Sequence, residues 1–307
     1  MTGHPQTDVP AGVEQGTPLA RLTTVGIGGP ALYFGRPERL DELEHMLDWA
    51  RESSLTVFVV GLGSNVLAAD SGVDGLVLRL SGELAAVEID GTRLTTGGGA
   101  TNAVSLHRAR AAGLGGMEFA CAIPGTAGGG VRMNAGAYGR DWADIVERVQ
   151  VVGPGGAEWL AGDELDFSYR HSSLAAGHVV ALVEFRLTQR DATDIRRDVA
   201  ELNRRRKETQ PINRRTFGSV FKNPDHDLGA GPMLDACGLK GHTVGGARIS
   251  PRHANFIENV DAATASDALK LMVEARRRAL EQFGVILERE VELLGDLELP
   301  PAGSNHD

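Results

Sequence analysis

The pattern of apolar and polar residues divides the chain into short helices and strands. Apolar residues recur every three or four positions in a segment that begins at Pro37, a residue suited to the first position of a helix. Similar patterns predict helices over residues 37–52, 100–112, 194–208 and 266–283, the second closed by Gly113 and the fourth by Gly284. The apolar face of the fourth helix is predicted to carry Leu269, Met272, Val273, Leu280 and Phe283.

Apolar and β-branched runs between these helices predict strands. The runs lie at residues 56–60, 76–80, 87–89, 93–96, 145–152, 158–161 and 179–187. Asp90 and Gly91 form a typical hairpin turn, and residues 153–156 predict a second turn. Because the helices and strands are interspersed, the sequence predicts an α+β fold. The charged helix at 194–208 marks a boundary before a C-terminal lobe.

Size and charge narrow the class of protein. A chain of 307 residues is longer than a single hydrophobic core usually accommodates, which predicts two or three lobes. The net charge of −10 argues against general binding to nucleic acid or anionic membrane, and every apolar run is too short to cross a bilayer. Residues 1–16 lack the pattern of a secretion signal, so we expect a disordered N-terminal segment and a disordered tail at 298–307.

The cysteines and histidines predict no metal site. Cys121 and Cys237 are the only cysteines and lie among small or apolar residues, so we expect reduced, buried, structural thiols in a cytoplasmic protein. The nine histidines show no ligand spacing.

Two glycine-rich loops, residues 61–67 and 123–139, are the main candidates for ligand binding. Glycine lets main-chain N–H groups approach a ligand closely, and Ser64, Asn65, Thr126 and Asn134 add polar side chains, which suits a diphosphate. Val66 stands where the dinucleotide fingerprint needs its third glycine, and no P-loop motif occurs. Since the chain has 40 glycines, simple turns are the alternative interpretation.

A locally basic segment at 214–224 surrounds Ser219 and indicates an anionic substrate, with a solvated turn as the alternative. No GxSxG elbow accompanies Ser219, which argues against an esterase. Taken alone, Arg170 and Glu290 are equally ambiguous.

Six motifs follow one another in a known order, namely GLGSNVL, IPGTAGGGVRMNAGAYG, SYRHS, GSVFKNP, GLKGHTVGGARISPRHANFIEN and EREVELLG. Together they resemble the UDP-N-acetylenolpyruvoylglucosamine reductase family from about Thr17 to Gly295. The resemblance implies a two-lobed FAD-binding domain of the vanillyl-alcohol-oxidase (PCMH) type at 17–190, with lobes at about 17–80 and 81–190. A C-terminal α+β substrate-binding domain is implied at 191–297.

The resemblance also implies noncovalent FAD, with NADPH as the hydride donor and UDP-N-acetylglucosamine enolpyruvate as the substrate, in peptidoglycan synthesis. No obligate protein partner is implied. The matching FAD-binding positions are Gly61, Leu62, Gly63, Ser64, Asn65, Val66, Ile123, Pro124, Gly125, Thr126, Gly129 and Gly130.

Three residues match the catalytic positions of that family. Arg170 is expected to hold the substrate carboxylate, Glu290 to share the stabilisation of the developing charge through a proton or a hydrogen bond, and Ser219 to donate the proton. Positions that resemble substrate contacts are Tyr138, Lys207, Asn223 and His253, with Lys207 and Asn223 near the diphosphate. For Tyr138 and His253, structural packing is the alternative interpretation.

The sequence departs from the common family pattern in three places. Ala122 replaces glycine, Gly130 replaces alanine, and the segment 172–179 lacks the long tyrosine-bearing insertion of one branch of the family. Two other functions remain open at this point. A flavin oxidase of the same fold would act on another substrate, and a noncatalytic flavin-binding or nucleotide-sugar-binding regulator would keep the loops without the catalytic residues.

Overall fold

The computed structural model describes residues 9–302, which form two compact units. The first unit contains the chain up to Thr17, Leu32–Leu62 and Asp74–Arg206; the second contains Pro18–Ala31, Gly63–Val73 and the chain from Lys207 onward. These units group separate stretches of the chain by their contacts. Ile195 and Val199, on the charged helix, are buried in a core of the first unit, and hydrophobic burial therefore assigns most of that helix to it.

The secondary structure comprises α-helices and mostly short strands. The helices are α1 (Leu40–Glu52), α2 (Asn102–Ala111), α3 (Ala127–Arg132), α4 (Ala192–Thr209), α5 (Ala230–Ala236) and α6 (Ala265–Phe283). The strands are β1 (Val13–Pro18), β2 (Pro30–Gly35), β3 (Val57–Val59), β4 (Val66–Ala68), β5 (Val73–Leu78), β6 (Val87–Asp90), β7 (Arg93–Gly97), β8 (Leu114–Gly115), β9 (Gly136–Ala137), β10 (Arg140–Asp141), β11 (Val146–Gly153), β12 (Gly156–Ala161), β13 (Val179–Arg186), β14 (Thr188–Gln189), β15 (Thr216–Ser219), β16 (Thr243–Val244), β17 (Ala247–Ile249), β18 (Phe256–Asn259) and β19 (Glu292–Leu294).

One sheet of the first unit has the strand order β1-β2-β5-β3, and its core also contains side chains of α1. α1 begins at Leu40 with Arg39 as N-cap, so the prediction that Pro37 opens it is wrong. The expectation of disorder is wrong for residues 13–16 because strand β1 is hydrogen-bonded to β2. Residues 1–8 of that predicted segment lie outside the described residues.

The second sheet of the first unit is antiparallel, with the order β12-β11-β13-β7-β6. The predicted turns at Asp90-Gly91 and at 153–156 are confirmed, since they join β6 to β7 and β11 to β12. The core beside this sheet includes Trp142 and Phe185, both fully buried, with ring centroids 5.5 Å apart. Ala127 and Val131 of the second glycine-rich segment are buried in this core.

The second unit combines the sheet β15-β18-β17-β16 with α5 and α6, and its parallel pair β4-β19 joins the first glycine loop to the C-terminal segment. α6 ends at Gly284 with φ of +69°, as predicted, and begins in a capping box of Thr264 and Asp267. Its buried face was predicted less well, because the most deeply buried residues are Ala265, Ala268, Leu271, Met272, Ala275 and Ala279. Small alanines allow the helix to lie close to the sheet, so the longer Leu269 and Phe283 are only partly buried at its margins.

The C-terminal segment is also more ordered than expected. Leu299 packs against the core of the second unit, and Arg276 Nη1 donates a hydrogen bond to the Pro300 carbonyl at 2.6 Å. The prediction of a disordered tail is therefore wrong at its start, while residues 303–307 lie outside the described residues. Within 9–302, no helix is both long and apolar enough to span a membrane.

Cys121 and Cys237 are free thiols, as expected, but both are only partly buried. Burial raises the pKa of each thiol above its usual value. Both side chains are thus disfavoured as thiolates.

Candidate functional site

The two predicted glycine loops meet in the first unit at Gly61 and Thr126. A Cβ built on Gly61 would lie 2.5 Å from Thr126 Oγ1, closer than real Cβ contacts allow. Glycine at 61 is therefore required by the approach of the two segments. The sequence had predicted both loops as ligand-binding, and the structure brings these two residues into contact.

The second segment is not a continuous loop, because α3 occupies Ala127–Arg132. Thr126 is its N-cap and accepts a hydrogen bond from the Gly129 N–H at 3.4 Å. The N–H groups of Ala127 and Gly128 donate to the carbonyls of Ala100 and Gly98, each at 2.9 Å. These donors are used inside the protein, so α3 offers little main-chain hydrogen bonding to a phosphate.

Gly130 has a packing role. A Cβ at this position would lie 1.5 Å from Nε1 of the buried Trp142. The alanine that the family pattern commonly has here cannot fit beside this tryptophan. The departure noted in the sequence is thus explained by the indole.

The main-chain donors that remain lie in the loops themselves. Among the described residues of the first unit, no hydrogen bond is donated by the N–H groups of Gly61, Leu62, Gly125 and Thr126. Uncommitted N–H groups in glycine loops suit a phosphate-bearing ligand, and the cradle that a Cβ at Gly61 would fill agrees with close approach. The residues present therefore fit the diphosphate of FAD.

Arg170 lies in a tight turn that the second glycine segment holds. Ser168 and His171 exchange two main-chain hydrogen bonds of 3.1 Å, which leaves Arg170 at φ +57°. Asn134 Nδ2 donates to the Ser168 carbonyl at 2.9 Å, and Arg170 Nη2 donates to the Gly136 carbonyl at 2.9 Å. A left-handed backbone at a non-glycine residue costs free energy and persists where the surroundings impose it. The guanidinium is held against the segment that carries Tyr138.

Tyr138 also has a left-handed backbone, with φ of +55°. Its hydroxyl donates to the Leu202 carbonyl of α4 at 3.1 Å, and burial raises the pKa of this phenol. Nearby, Arg206 Nη1 donates to the Cys121 carbonyl at 3.3 Å, and burial lowers the pKa of this guanidinium. Tyr138 is thus anchored to α4 as a neutral phenol.

Ser219 is the last residue of β15 in the second unit and directly follows a β-bulge. Thr216 pairs with Glu258 and Ser219 with Phe256, so β15 has one residue more than β18 between these pairs. The extra residue is accommodated at Gly218, whose φ is +80°. A Cβ on Gly218 would also lie 3.1 Å from the Ser64 carbonyl oxygen.

Glu290 is hydrogen-bonded to the residue that follows Ser219. The Glu290 N–H donates to the Val220 carbonyl at 2.8 Å, and Asn65 Nδ2 donates to the Glu290 carbonyl at 3.0 Å. The Glu292 N–H in turn donates to the Asn65 carbonyl at 2.9 Å. Ser219, Glu290 and Asn65, which are far apart in sequence, are therefore brought together in the second unit.

Asn223 and His253 both contact the first residues of α5. Asn223 Oδ1 accepts from the Ala230 N–H at 3.0 Å, and His253 packs over Gly231, where a Cβ would lie 2.5 Å from ring atom Cε1. His253 Nδ1 accepts from the Asn255 N–H at 3.2 Å, and burial together with Lys240 lowers the pKa of the ring. The imidazole is therefore neutral, with its proton on Nε2.

Lys207 is exposed near the end of α4. Arg170 and Tyr138 belong to the first unit, and the other predicted catalytic and substrate residues belong to the second.

Three supporting residues were not recognised as such from the sequence. Arg206 had no signal because it lies in a run of charged residues, and Asn134 had been considered only as a loop ligand. For Thr216 the sequence carries an indirect signal, because the apolar residues Phe217 and Val220, both buried, are three positions apart, a spacing that a regular strand does not give. Residues 9–302 contain no group of three or more His, Cys, Asp or Glu side chains that could hold a metal.

Comparison with known proteins identifies the families to which the two parts of the chain are similar. Residues 31–160 match the FAD binding domain family, and residues 210–294 match the family described as UDP-N-acetylenolpyruvoylglucosamine reductase, C-terminal domain. Both matches confirm the predicted α+β fold of a flavin-binding domain followed by a reductase C-terminal domain.

Individual relatives match over nearly the whole chain. UDP-N-acetylenolpyruvoylglucosamine reductase 2 of Symbiobacterium thermophilum is 44% identical over 93% of this chain and 93% of its own length. The reductase of Bacillus velezensis is 39% identical over 91% of this chain and 92% of its own length. The crystal structure of the reductase from Thermus caldophilus has a TM-score of 0.81 at 38% identity and covers 92% of this chain and 98% of its own. The chain therefore belongs to the UDP-N-acetylenolpyruvoylglucosamine reductase family.

Proposed function

We propose that this chain reduces the enolpyruvyl group of UDP-N-acetylglucosamine enolpyruvate with hydride from NADPH, and that Arg170, Ser219 and Glu290 carry the chemistry. The names of its relatives support the reaction. The observation that carries the assignment of residues is the hydrogen bond of 2.8 Å from the Glu290 N–H to the Val220 carbonyl, which holds Glu290 beside the residue that follows Ser219. The product, UDP-N-acetylmuramate, would serve peptidoglycan synthesis.

FAD supplies hydride transfer from NADPH to the enolpyruvyl methylene carbon when it is bound. The residues that would hold its diphosphate are those with uncommitted main-chain N–H groups in the two glycine loops, including Gly61, Leu62, Gly125 and Thr126. The side chains of Ser64 and Asn65 and the neighbouring Val66, Ile123 and Pro124 would complete its surroundings. Contacts from Gly129 and Gly130 are part of the same proposal, with Gly130 chiefly making room for Trp142.

Ser219 protonates the substrate in this scheme. Addition of hydride to the methylene carbon leaves an electron pair on the neighbouring carbon, which forms a new C–H bond with the Ser219 hydroxyl proton. The resulting Ser219 alkoxide recovers a proton from solvent, so that one hydride and one proton are added across the double bond. A serine hydroxyl is a weak acid, and its precise position beside the substrate carbon is therefore essential.

Arg170 and Glu290 stabilise the charge that develops before protonation. Arg170 would bind the substrate carboxylate, into which the electron pair is delocalised. Its turn is held by hydrogen bonds from Ser168, His171 and Asn134, so little reorganisation is needed when charge develops. Glu290 would contribute a proton or a hydrogen bond to the same intermediate.

The substrate is proposed to contact Tyr138, Lys207, Asn223 and His253. Lys207 and Asn223 would lie near the diphosphate, where an exposed ammonium supplies positive charge. His253 presents a neutral ring whose Nε2–H can donate. We also propose residues 17–190 as the cofactor-binding part and 191–297 as the substrate-binding part, and a cytoplasmic location that suits two free thiols.

Separate measurement of the two half-reactions tests the proposal. Ser219→Ala should leave reduction of the bound flavin by NADPH unchanged and abolish its anaerobic reoxidation by the enolpyruvyl substrate. Ser173→Ala, which removes an exposed hydroxyl bound to the Glu164 carbonyl, is the matched control and should retain both steps. Equal loss of both half-reactions in Ser219→Ala would contradict its role as proton donor. Wild-type protein without flavin, or without substrate-dependent reoxidation, would contradict the proposed function as a whole.

A further inference from the structure

We propose that Thr216 is a positioning residue for Ser219, because its hydroxyl holds the β-bulge that directs Ser219 away from the apolar core. This inference rests on the proposed role of Ser219 as proton donor. It adds a residue that none of the motif matches had assigned to the site.

The apolar spacing in β15 shows why the bulge matters. Phe217 and Val220 are buried, with exposed fractions of 0% and 2%, and they are three positions apart. In a regular strand, side chains alternate between faces, so residues 217 and 219 would share a face. Ser219 would then point to the side on which Phe217 packs, where an unpaired hydroxyl is costly.

The observed register avoids this outcome. Glu258 and Phe256 are two positions apart on β18, so their partners Thr216 and Ser219 lie on the same side of the sheet. The extra residue is Gly218, with φ of +80°. Ser219 thus lies on the face opposite Phe217, which carries its cross-strand partner Phe256, Glu258 and the Arg248 that pairs with Glu258 at 2.7 Å. Phe256 is not among the residues of the core cluster that contains Phe217 and Val220.

Thr216 supplies the contact that holds the bulged backbone. The Gly218 N–H donates to Thr216 Oγ1 at 3.1 Å, while the Thr216 carbonyl accepts from Thr24 Oγ1 at 2.7 Å. The bond to Thr216 Oγ1 satisfies the Gly218 N–H, which the strand ladder leaves unpaired at the bulge. The bond from Thr24 holds the main chain of Thr216 in place. Removing the acceptor leaves the Gly218 N–H without this partner and allows the bulge to relax.

Half-reaction kinetics of Thr216→Val and Thr216→Ser test the inference. Valine keeps the shape of threonine without the acceptor, whereas serine keeps the acceptor. We expect Thr216→Val to reduce flavin with NADPH at the wild-type rate and to slow reoxidation at saturating substrate by at least about tenfold, since small displacements of a catalytic group have large effects on rate. Thr216→Ser should remain within about twofold of wild type because its Oγ can still accept the Gly218 bond. The solvent isotope effect on reoxidation should increase in Thr216→Val, because proton transfer becomes slower.

Hydrogen exchange gives a readout that does not depend on activity. The amide of Gly218 should exchange faster in Thr216→Val than in wild type and should be restored in Thr216→Ser. Thr243→Val, an exposed position on β16 of the same sheet, is the matched control and should change neither exchange at Gly218 nor either half-reaction.

If Thr216→Val matches wild type in both the rate of flavin reoxidation and the exchange rate of the Gly218 amide, the inference is overturned and the proposed function is unaffected. An equal slowing in Thr216→Ser would also overturn it, because the acceptor would then be irrelevant. If Thr216→Val does not retain FAD, Thr216→Ala, which adds no volume, is judged by the same two criteria. Absence of substrate-dependent reoxidation in wild type would instead remove the proposed function on which the inference depends.

Discussion

Single residues of this site are shaped by their surroundings more than by their own propensities. Arg170, Tyr138 and Asn134 all adopt positive φ, although none is glycine. Asn134 donates to the Ser168 carbonyl, Tyr138 to the Leu202 carbonyl of α4, and Arg170 to the Gly136 carbonyl. Because such conformations cost free energy, the surrounding contacts must offset it, which gives the side chains defined directions before substrate binds.

His253 should make stability depend on pH. Burial lowers the pKa of this imidazole below its ordinary value of about 6.5, so the unfolded chain binds its proton at a higher pH than the folded protein. This contribution to stability is complete above about pH 6.5 and is lost as the pH falls through that value toward the lowered pKa. In urea unfolding followed across this range, His253→Gln should show a weaker loss of stability on acidification than wild type.

His107→Gln provides the comparison for that measurement, because His107 is exposed on α2. It should follow the wild-type curve. Parallel curves for wild type and His253→Gln would show that burial of His253 does not affect the pH dependence of folding.

The helices differ in how far local sequence signals, rather than tertiary contacts, account for their formation. α6 begins with a capping box and ends at a glycine with positive φ, and both signals are present in its sequence. α3 has three consecutive glycines, which have poor helix propensity, and yet it forms. Its first N–H groups are bound by Ala100, Gly98 and Thr126, so tertiary contacts stabilise a helix that the sequence does not favour.

Gly130 gives a direct test of the packing beneath α3. In Gly130→Ala, the added methyl would overlap Trp142 Nε1, and we expect a loss of about 1–3 kcal/mol in the free energy of unfolding. Gly155→Ala, where no atom lies within 4 Å of the added Cβ, should be close to neutral. Combining Gly130→Ala with Trp142→Leu should cost less than the sum of the two single changes, because the smaller side chain makes room. Additive losses in urea unfolding would contradict a direct clash.

At the scale of the whole molecule, the predicted site residues are divided between the two units. The first unit carries Arg170, Tyr138 and the contact between Gly61 and Thr126. The second carries the bulge before Ser219, the bond from Asn65 to the Glu290 carbonyl and the bond from the Glu290 N–H to the Val220 carbonyl. Three separated chain segments build the second unit, and long-range hydrogen bonds such as that from Thr24 to Thr216 join them.

FAD should therefore stabilise the folded protein, and its diphosphate should be needed for the full effect. At a free concentration of about 100 times Kd, FAD should add about 2.7 kcal/mol to the stability of the apoprotein, seen as a rise in Tm. Riboflavin lacks phosphate groups and should give a smaller shift at the same concentration. Gly61→Ala should reduce the FAD shift because its methyl displaces Thr126, with Gly155→Ala as control. Equal shifts with FAD and riboflavin would contradict binding through the glycine loops.

The sequence by itself determined the four longest helices, the five strands of the antiparallel sheet of the first unit, the α+β class and the family, because periodic burial, turn pairs and motif order are local or sequential properties. The hairpin at Asp90-Gly91 and the end of α6 at Gly284 are examples. Only the tertiary structure decided which segments share a core, as with α4, and which side chains support the predicted site. The acceptor role of Thr216 and the need for glycine at 130 depend on residues or backbone geometry that no local pattern specifies. Such contacts arise from the folding of distant segments against one another, so their physical basis lies in packing and long-range hydrogen bonding.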